Sequence, residues 1–384
     1  MRARPIAWRI VRALAAPLVL AGMLTGSGSG RAFAASCESW SGVQPQNPGT
    51  SEDQLFGVTV ISACNVWVAG FSFSNGSNQT LIEHWNGSAW RVVPSPDPGS
   101  ANNFLNGIRA VSPSNIWAVG AFSNGGGSDQ TLILHWNGKS WSQMESPGPG
   151  DSADLNAVRA VSASSAWAVG SFSKGGTERA LIMRLSGAGW KQVPSPAPGQ
   201  DSDLLGVAAS SSRNAWAVGD FTKGGQEKTL ILHWNGNRWR QQASPSPGTP
   251  AGLAGIAVTS AANAWAVGFA GNGIADQTLA LHWNGRKWSR VASPDLGGRH
   301  NTNFLKGVAA TSAGNVWAVG TASRGGLNQT LILRWNGAKW THVPSPNPGS
   351  SNDLDAVSAS SAANAWAVGS FNGAIHQTLA MHCG

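Results

Sequence analysis

The sequence contains no tyrosine, and it is poor in cysteine and in charged residues. Of its 384 residues, only three are Cys and 11% are charged. Without Tyr, the chain cannot form a copper-radical centre that depends on a tyrosyl ligand. Three cysteines with no C-x-x-C pair exclude a four-cysteine zinc site and a disulfide-dense scaffold. What is abundant is Gly (49), Pro (20) and Trp (20), a composition that fits many short strands joined by tight turns.

Long apolar runs are also missing, apart from one near the N-terminus. Four arginines (Arg2, Arg4, Arg9 and Arg12) precede an apolar stretch from Ala13 to Leu24, and Ala32-Phe33-Ala34 follows. This order predicts a secretory signal over 1–34, cut after Ala34. The apolar stretch is short for a membrane span, and no later segment approaches the ~18 apolar residues that a span needs. We therefore expect a secreted protein with no membrane span.

Much of the net positive charge of the chain lies in the predicted signal over 1–34. Five of the 26 Lys and Arg residues lie before residue 35, so 21 cations face 18 acids and the remainder carries a net charge of +3. The remaining cations are scattered along the chain. Neither the charge nor its distribution is typical of a nucleic-acid-binding surface.

A repeat of about fifty residues fills the rest of the chain. Its W-A-V-G-like tetrapeptide recurs seven times, at spacings of 50, 50, 49, 49, 52 and 49 residues. The first residues of these tetrapeptides are Trp67, Trp117, Trp167, Trp216, Trp265, Trp317 and Trp366. Residues 101–150 divide into four strands: LNGIRAVS, NIWAVGAF, QTLILHW and SWSQMESP. Asn-Gly between the third and fourth strands predicts a two-residue hairpin turn with positive φ at both positions, and Pro marks the fourth as an edge strand.

Four antiparallel strands per repeat are typical of a propeller blade. The sequence therefore predicts an all-β, seven-bladed β-propeller over 35–384. Its blades are expected at about 50–99, 100–150, 151–199, 200–248, 249–297, 298–349 and 350–384 together with 35–49.

The seventh repeat stops before its fourth strand, and the missing strand is found at the N-terminus. In complete repeats the fourth-strand Trp is followed nine residues later by Gly, and Trp40 and Gly49 have the same spacing. We expect this segment to close the ring. Superposed repeats place Cys37 and Cys383 on either side of one hairpin turn, which predicts a disulfide. The alternative is lipid anchoring at Cys37, since Ala34-Ala35-Ser36 precedes it. Cys64 replaces Ser114, Ala262 or Gly314 and is expected to be a small filler residue.

The motif order resembles a degenerate Kelch repeat: a strand ending in Val-Gly, a Gly-rich loop, a strand ending at a turn, then Trp and a Pro-rich end. It is also similar to the WAVG-type repeats of secreted bacterial propellers and, more distantly, to Trp-rich bacterial propeller lectins. The resemblance covers 37–384. Kelch repeats pair two glycines with a Tyr, whereas this chain has a single Gly (Gly70, Gly120 and Gly170) and no Tyr. The resemblance implies the fold and carries over no functional residue.

No catalytic motif is visible, so we predict no catalytic residue, no metal site and no cofactor. A histidine recurs at one position per repeat, with arginine replacing it twice, which indicates packing rather than metal binding. The seven positions are His84, His135, Arg184, His233, His282, Arg334 and His382.

Two residue sets could bind a ligand. Trp can stack on sugars, but we assign the WAVG tryptophans to packing and expect the same, less firmly, of the fourth-strand set (Trp40, Trp90, Trp141, Trp190, Trp239, Trp288 and Trp340). The main candidates precede the third strand, on the face where the blade-linking loops with Asn103, Asp154, Asp203, Asn303 and Asp353 also open. These candidate ligand-binding residues are Asn78, Asp129, Glu178, Glu227, Asp276, Asn328 and His376. Strand and turn capping is the alternative role for this set.

The sequence leaves three functional hypotheses open. The first is a non-enzymatic, lectin-like extracellular protein that binds glycan or cell-wall polysaccharide through these loops. The second is an extracellular protein-interaction scaffold or adhesion module. The third is a lyase or hydrolase with a site in the central channel, for which no constellation of residues is visible.

Overall fold

The computed structural model describes residue Cys37, residues 39–187 and residues 189–384. The predicted signal over 1–34 lies outside the described residues. The strands in chain order are β1 (Ser41–Gly42), β2 (Asp53–Ser62), β3 (Asn65–Ser74), β4 (Ser77–Trp85), β5 (Trp90–Val92), β6 (Asn102–Ser112), β7 (Asn115–Ser123), β8 (Asp129–Trp136), β9 (Trp141–Gln143), β10 (Ser152–Ser162), β11 (Ser165–Lys174), β12 (Thr177–Ser186), β13 (Gly189–Gln192), β14 (Ser202–Ser211), β15 (Asn214–Lys223), β16 (Gln226–Trp234), β17 (Trp239–Gln241), β18 (Ala251–Ser260), β19 (Asn263–Gly271), β20 (Asp276–Trp283), β21 (Trp288–Val291), β22 (Asn303–Ser312), β23 (Asn315–Arg324), β24 (Leu327–Trp335), β25 (Trp340–His342), β26 (Asn352–Ser361), β27 (Asn364–Asn372) and β28 (His376–Cys383).

These strands form antiparallel groups of four. Five sheets have four strands each: β10 to β13, β14 to β17, β18 to β21, β22 to β25, and β26 to β28 with β1. A sixth sheet has eight strands, and its halves, β2 to β5 and β6 to β9, are joined by one parallel pair, Asn78 with Asn102. We number the groups units 1 to 7 by the order of their first strands. Each first strand contacts those of the neighbouring units, and β26 contacts β2, so the ring is closed and the fold is a β-propeller.

The N-terminal strand completes unit 7. Ser41 pairs with His382 and Gly42 with Met381. Asn47 Oδ1 accepts a 2.7 Å hydrogen bond from Thr378 N, as Asp97 Oδ1 does from Thr80 N at 2.6 Å in unit 1. The predicted disulfide between Cys37 and Cys383 is confirmed, with 5.5 Å between the two Cα atoms. The Cys37 sulfur is therefore bonded to Cys383 and not available for a lipid thioether, whereas Cys64 is an exposed free thiol.

Trp residues fill the wedges between units. Both the WAVG set and the fourth-strand set are buried, with 0 to 6% of each side chain exposed. Trp216, for example, contacts Trp288 of the next unit edge-on at 5.3 Å between ring centroids. The WAVG glycine is required because a Cβ on Gly120 would overlap the carbonyl oxygen of Phe104. Packing is thus the role of both sets, and the fourth-strand set is not exposed.

The recurring histidines also pack. They stack on the WAVG Trp of the same unit, as His233 does on Trp216 at 4.1 Å, and Nε2 of His233 lies 2.6 Å from Asn214 Oδ1. Arg184 lies over the Trp167 ring at 5.0 Å, which explains how a cation replaces His. Burial lowers the pKa of His233, as expected for a neutral packed ring.

Two local predictions differ from the structure. In the Asn-Gly turn only the glycine has positive φ (97° at Gly87), because Asn86 Oδ1 instead accepts hydrogen bonds from the amides of Ser88 and Ala89. The fourth strand is also shorter than the sequence parse: β9 ends at Gln143. Proline cannot extend the ladder, so side chains hold the Pro-rich segment, as in the 2.5 Å contact between Thr131 Oγ1 and Ser146 Oγ.

Candidate functional site

Every first strand contains a β-bulge just after its buried leucine. In unit 1 the register shifts between Leu55 and Gly57, which leaves Phe56 unpaired, and the same shift occurs in the other six units. We call the unpaired residues the bulge set: Phe56, Asn106, Asn156, Leu205, Ala254, Lys306 and Asp355. With the two residues that follow each of them, they line a central cavity of about 190 Å³.

Successive side chains of a strand point to opposite faces. The residue before each leucine therefore lies on the same face as the bulge residue after it, away from the buried core. We call these residues the rim set: Gln54, Phe104, Asp154, Asp203, Gly252, Phe304 and Asp353. The rim and bulge sets therefore flank the buried leucines Leu55, Leu105, Leu155, Leu204, Leu253, Leu305 and Leu354. The rim set surrounds one end of the central cavity, or channel, and we call this end the mouth. While the framework repeats almost unchanged, the rim and bulge sets differ from unit to unit, so the mouth is asymmetric.

Carboxylates concentrate on one side of this mouth, in units 3 and 4. Five of them form what we call the acidic arc: Asp154, Glu178, Asp203, Asp220 and Glu227. Ser171 Oγ lies 3.1 Å from Asp154 Oδ1 and 2.7 Å from Glu178 Oε1. One hydroxyl hydrogen can be donated to only one of these oxygens, so close approach to both favours a proton on one carboxyl group.

The pKa shifts within the arc follow from burial and mutual repulsion. Burial, with the charges of Glu178 and Asp129, raises the pKa of Asp154 to about 6. Burial, with the charges of Glu227 and Glu178, raises the pKa of Asp220 to about 7. The pKa of Asp203 is raised well above its ordinary value by burial and then by Asp154, although Asn156 Nδ2 donates to its Oδ1 at 3.2 Å. Burial and the neighbouring carboxylates thus disfavour the charged form of all three aspartates.

Across the channel, the carboxylates already have a cation. Lys306 Nζ lies 2.7 Å from Asp355 Oδ1 and 3.7 Å from Asp353 Oδ1. Burial opposes the charge on Lys306, but the two aspartates outweigh it and raise the pKa of the ammonium group. Thr321 Oγ1 also donates to Asp353 Oδ1 at 2.7 Å. One ammonium group therefore partly offsets the two carboxylates on this side of the mouth.

Phenylalanines lie in the units on both sides of the arc, and all of them are half-buried except Phe71, which is buried. In units 1 and 2, Phe71 contacts Phe104 at 5.2 Å and Phe56 at 5.9 Å between ring centroids. In units 5 and 6, Phe269 contacts Phe304 at 4.9 Å. The mouth therefore combines clustered carboxyl groups with apolar surface, which suits a ligand carrying a cation beside apolar groups.

The seven sequence candidates all lie at or near the start of a third strand. Backbone atoms of several bind the next unit: Asn102 Oδ1 accepts from Asn78 N at 3.3 Å, and Ser152 Oγ from Asp129 N at 3.0 Å. Glu178 and Glu227 belong to the arc, and the charge of Asp129 reaches Asp154. Asn78, Asp276, Asn328 and His376 lie in other units; His376 Nδ1 is 3.1 Å from Glu52 Oε1. Their ligand binding remains a prediction.

Sequence reasoning missed the most asymmetric part of the site. It grouped Asp154, Asp203 and Asp353 with Asn103 and Asn303 in linking loops, but all five lie within first strands. Asn103 and Asn303 are buried caps, and Asn103 Oδ1 accepts from Gly99 N at 2.7 Å, whereas the aspartates belong to the rim set. The sequence signal for the rim and bulge sets is the triplet x-Leu-y in each first strand, in which the leucine is constant and the residues on both sides of it vary.

A variant at Asp220 tests the electrostatics of the arc. Its folded pKa lies above that of an unfolded Asp, so the folded chain binds more protons between about pH 4 and 7 and loses stability as pH rises through that range. Asp220→Asn is expected to be more stable than the wild type by roughly 2 kcal/mol at about pH 8.5 and to match it near pH 4.5. Urea unfolding at both pH values measures this, with exposed Glu145→Gln as control. A pH-independent difference at Asp220 would contradict the raised pKa of its carboxyl group.

Comparisons with known proteins support the fold. No protein-family model matches the chain, and no curated protein matches it in sequence. Among solved structures it is similar to "YCF48 bound to D1 peptide", with a TM-score of 0.58 and 15% identity over 90% of this chain and 97% of that chain. It is also similar to YCF48 from Cyanidioschyzon merolae, with a TM-score of 0.55 and 16% identity over 89% of this chain and 98% of that one. At these identities the likeness shows the propeller fold alone.

Within the described residues, no three His, Cys, Asp or Glu side chains come together closely enough to hold a metal ion. In the same part of the chain, there is no helix with the length and apolar character to cross a membrane.

Proposed function

We propose that the chain is a secreted, non-enzymatic, seven-bladed propeller that binds an extracellular protein segment at the channel mouth. The segment is one in which a Lys or Arg side chain is flanked by apolar residues. The observation that carries the proposal is the acidic arc, in which burial and neighbouring carboxylates raise the pKa values of Asp154, Asp203 and Asp220, with phenylalanine rings in the units on either side. A bound cation would oppose the burial and the repulsion that together raise the pKa values of Asp154 and Asp220.

Asymmetry supports a single specific segment over a ligand bound once per blade. The rim and bulge sets differ between units, while framework positions such as the WAVG Trp are constant. A solved structure of similar fold, YCF48, is described as bound to a peptide, which gives a precedent for peptide binding by such a ring. The Cys37–Cys383 disulfide is consistent with the extracellular location.

Glycan binding is the second candidate, supported by the recurring polar residues before each third strand. It is weakened by the placement of the tryptophans that would stack on sugar rings. Fifteen of the described Trp side chains are buried, and the remaining four are half-buried (Trp85, Trp136, Trp283 and Trp335). The indole N–H of each of these four donates to a backbone carbonyl, at 3.1 to 3.2 Å, at the turn between the first and second strands. They lie at the opposite end of the third strand from the mouth.

A displayed peptide library tests the proposal directly. Selection on the protein from residue 35 onward is expected to enrich peptides with Lys or Arg beside apolar residues. Their affinity is expected to fall at least tenfold, about 1.4 kcal/mol, in Asp154→Asn/Asp203→Asn/Asp220→Asn, because neutral amides do not attract the cation.

The matched control is Asp276→Asn, which removes an acid from the same face outside the arc and should leave affinity unchanged. Equal binding by the triple variant and the wild type would exclude the arc as the site. A glycan array on the same preparation separates the two candidates: glycan binding that survives in the triple variant, with no peptide enriched, would favour the lectin-like alternative.

A further inference from the structure

Two arginines occupy one repeat position on neighbouring first strands. Arg109 on β6 and Arg159 on β10 stand where the other units have only small side chains. The small residues at this position are Thr59, Ala208, Ala257, Ala309 and Ser358. The position lies three residues beyond the bulge and therefore away from the mouth. The arginines follow directly after Ile108 and Val158, which line the central cavity.

The small polar residues show where side chains at this position point. Thr59 Oγ1 accepts a hydrogen bond from Ala110 N at 3.2 Å, and Ser358 Oγ accepts one from Val60 N at 3.1 Å. Each bond crosses to the first strand of the next unit. A side chain at this position is therefore directed along the wall that neighbouring first strands form around the channel.

The arginines reach the same wall, but their guanidinium groups make few hydrogen bonds there. Arg159 Nη2 donates to Ala209 O of the next unit at 3.3 Å, and its Nε is buried without a partner. Arg109 Nε is buried without a partner as well, and within the described part of the chain its guanidinium has no hydrogen bond or ion pair. Burial and the charge of Arg159 lower the pKa of Arg109 to about 9. Each side chain nevertheless keeps some exposed surface.

We propose that Arg109 and Arg159 together bind a small oxyanion, a carboxylate or a phosphate group, at the wall of the channel. Guanidinium groups present parallel N–H donors that match the oxygens of such anions, and a shared anion removes the repulsion between two buried like charges. Burying one unpaired cation is unfavourable, and burying two beside each other is more so. The chain places small residues at the five equivalent positions, so the arginines are not a requirement of the fold. This site is separate from the acidic arc, and the proposal does not depend on peptide binding there.

The test is anion titration by calorimetry, with acetate and phosphate as probes at constant ionic strength. The wild type is expected to bind at least one of them saturably, with an affinity reduced at least tenfold in Arg109→Ser and Arg159→Ser. Binding of acetate identifies a carboxylate site, and binding of phosphate alone identifies a phosphate site; either result supports the proposal. Serine is chosen because Ser358 already occupies this position in unit 7 with its hydroxyl bonded.

A second readout does not depend on a bound ligand. In buffer without oxyanions, Arg109→Ser is expected to melt at a higher temperature than the wild type, because it removes an unpaired buried charge. The control is Ala257→Ser, which introduces serine at the equivalent position of unit 5 and should keep the anion response of the wild type. An Arg109→Ser/Arg159→Ser variant that binds the anions as the wild type does would overturn the proposal, as would the absence of any saturable response.

Discussion

Trp216→Ala is expected to lower the free energy of unfolding by about 4 kcal/mol, a large part of the stability of a typical domain. Only 1% of this side chain is exposed, and it fills the wedge between units 4 and 5. It stacks on His233 and meets Trp288 edge-on at 5.3 Å, so truncation leaves a cavity among rigid rings that cannot collapse around it. Denaturant unfolding followed by tryptophan fluorescence measures the change.

The control is Trp136→Ala, which removes an indole of the half-buried third-strand set. This variant loses one hydrogen bond, to Pro113 O at 3.2 Å, and ring contacts with Trp67 and Trp141, but Trp136 is already partly exposed to solvent in the folded protein. We expect a loss smaller than that at Trp216 by about 2 kcal/mol. If the two variants unfolded with the same free energy, the WAVG tryptophans would not be the principal filling of the wedges.

The second large effect is expected from Cys37→Ser. The disulfide joins residues 346 positions apart and so restricts the unfolded chain strongly. Its removal is expected to cost up to about 5 kcal/mol, because the freed segment must then be held by the short ladder between β1 and β28 and by its side-chain contacts. Melting of the oxidised protein, the reduced protein and the variant provides the measurement.

Cys64→Ser is the matched control, since it removes the exposed thiol and leaves the bridge intact. It should melt with the wild type, and reducing agent should lower its melting temperature to that of Cys37→Ser. Identical melting of the two serine variants under oxidising conditions would show that the bridge contributes nothing to the stability of the ring.

The framework was predictable because it depends on features that repeat. The nine-residue spacing of Trp40 and Gly49 placed the N-terminal segment in unit 7, and the structure contains that pairing together with the Cys37–Cys383 bridge. Tryptophan at two positions per repeat indicated wedge packing, which burial confirms. Each of these inferences rests on seven near-copies of one pattern, so an error in a single repeat could not mislead it.

The mouth was not predictable in the same way, because a bulge breaks the alternation on which strand patterns rely. In a regular strand, Asn106 and its neighbour Gly107 would point to opposite faces. The register shift at Asn106 breaks this alternation and leaves Asn106 unpaired beside the cavity. Recurrence also directed attention to residues such as Asn78 and Asp276. Four of the five arc residues (Asp154, Glu178, Asp203 and Glu227) also stand at these recurring positions, but recurrence did not predict that they cluster in units 3 and 4 or that Asp220 joins them.

The pairing of β1 with β28 has a consequence for biosynthesis. A ribosome delivers β1 first and β28 last, and both belong to unit 7. Units 1 to 6 each receive four consecutive strands and can fold one after another as they emerge. Unit 7 cannot, because the segment around Trp40 has no partner strand until β28 has been synthesised. A circular permutant opened in the linker between units 3 and 4 would give unit 7 four consecutive strands and would leave only the contact between units 3 and 4 to form last.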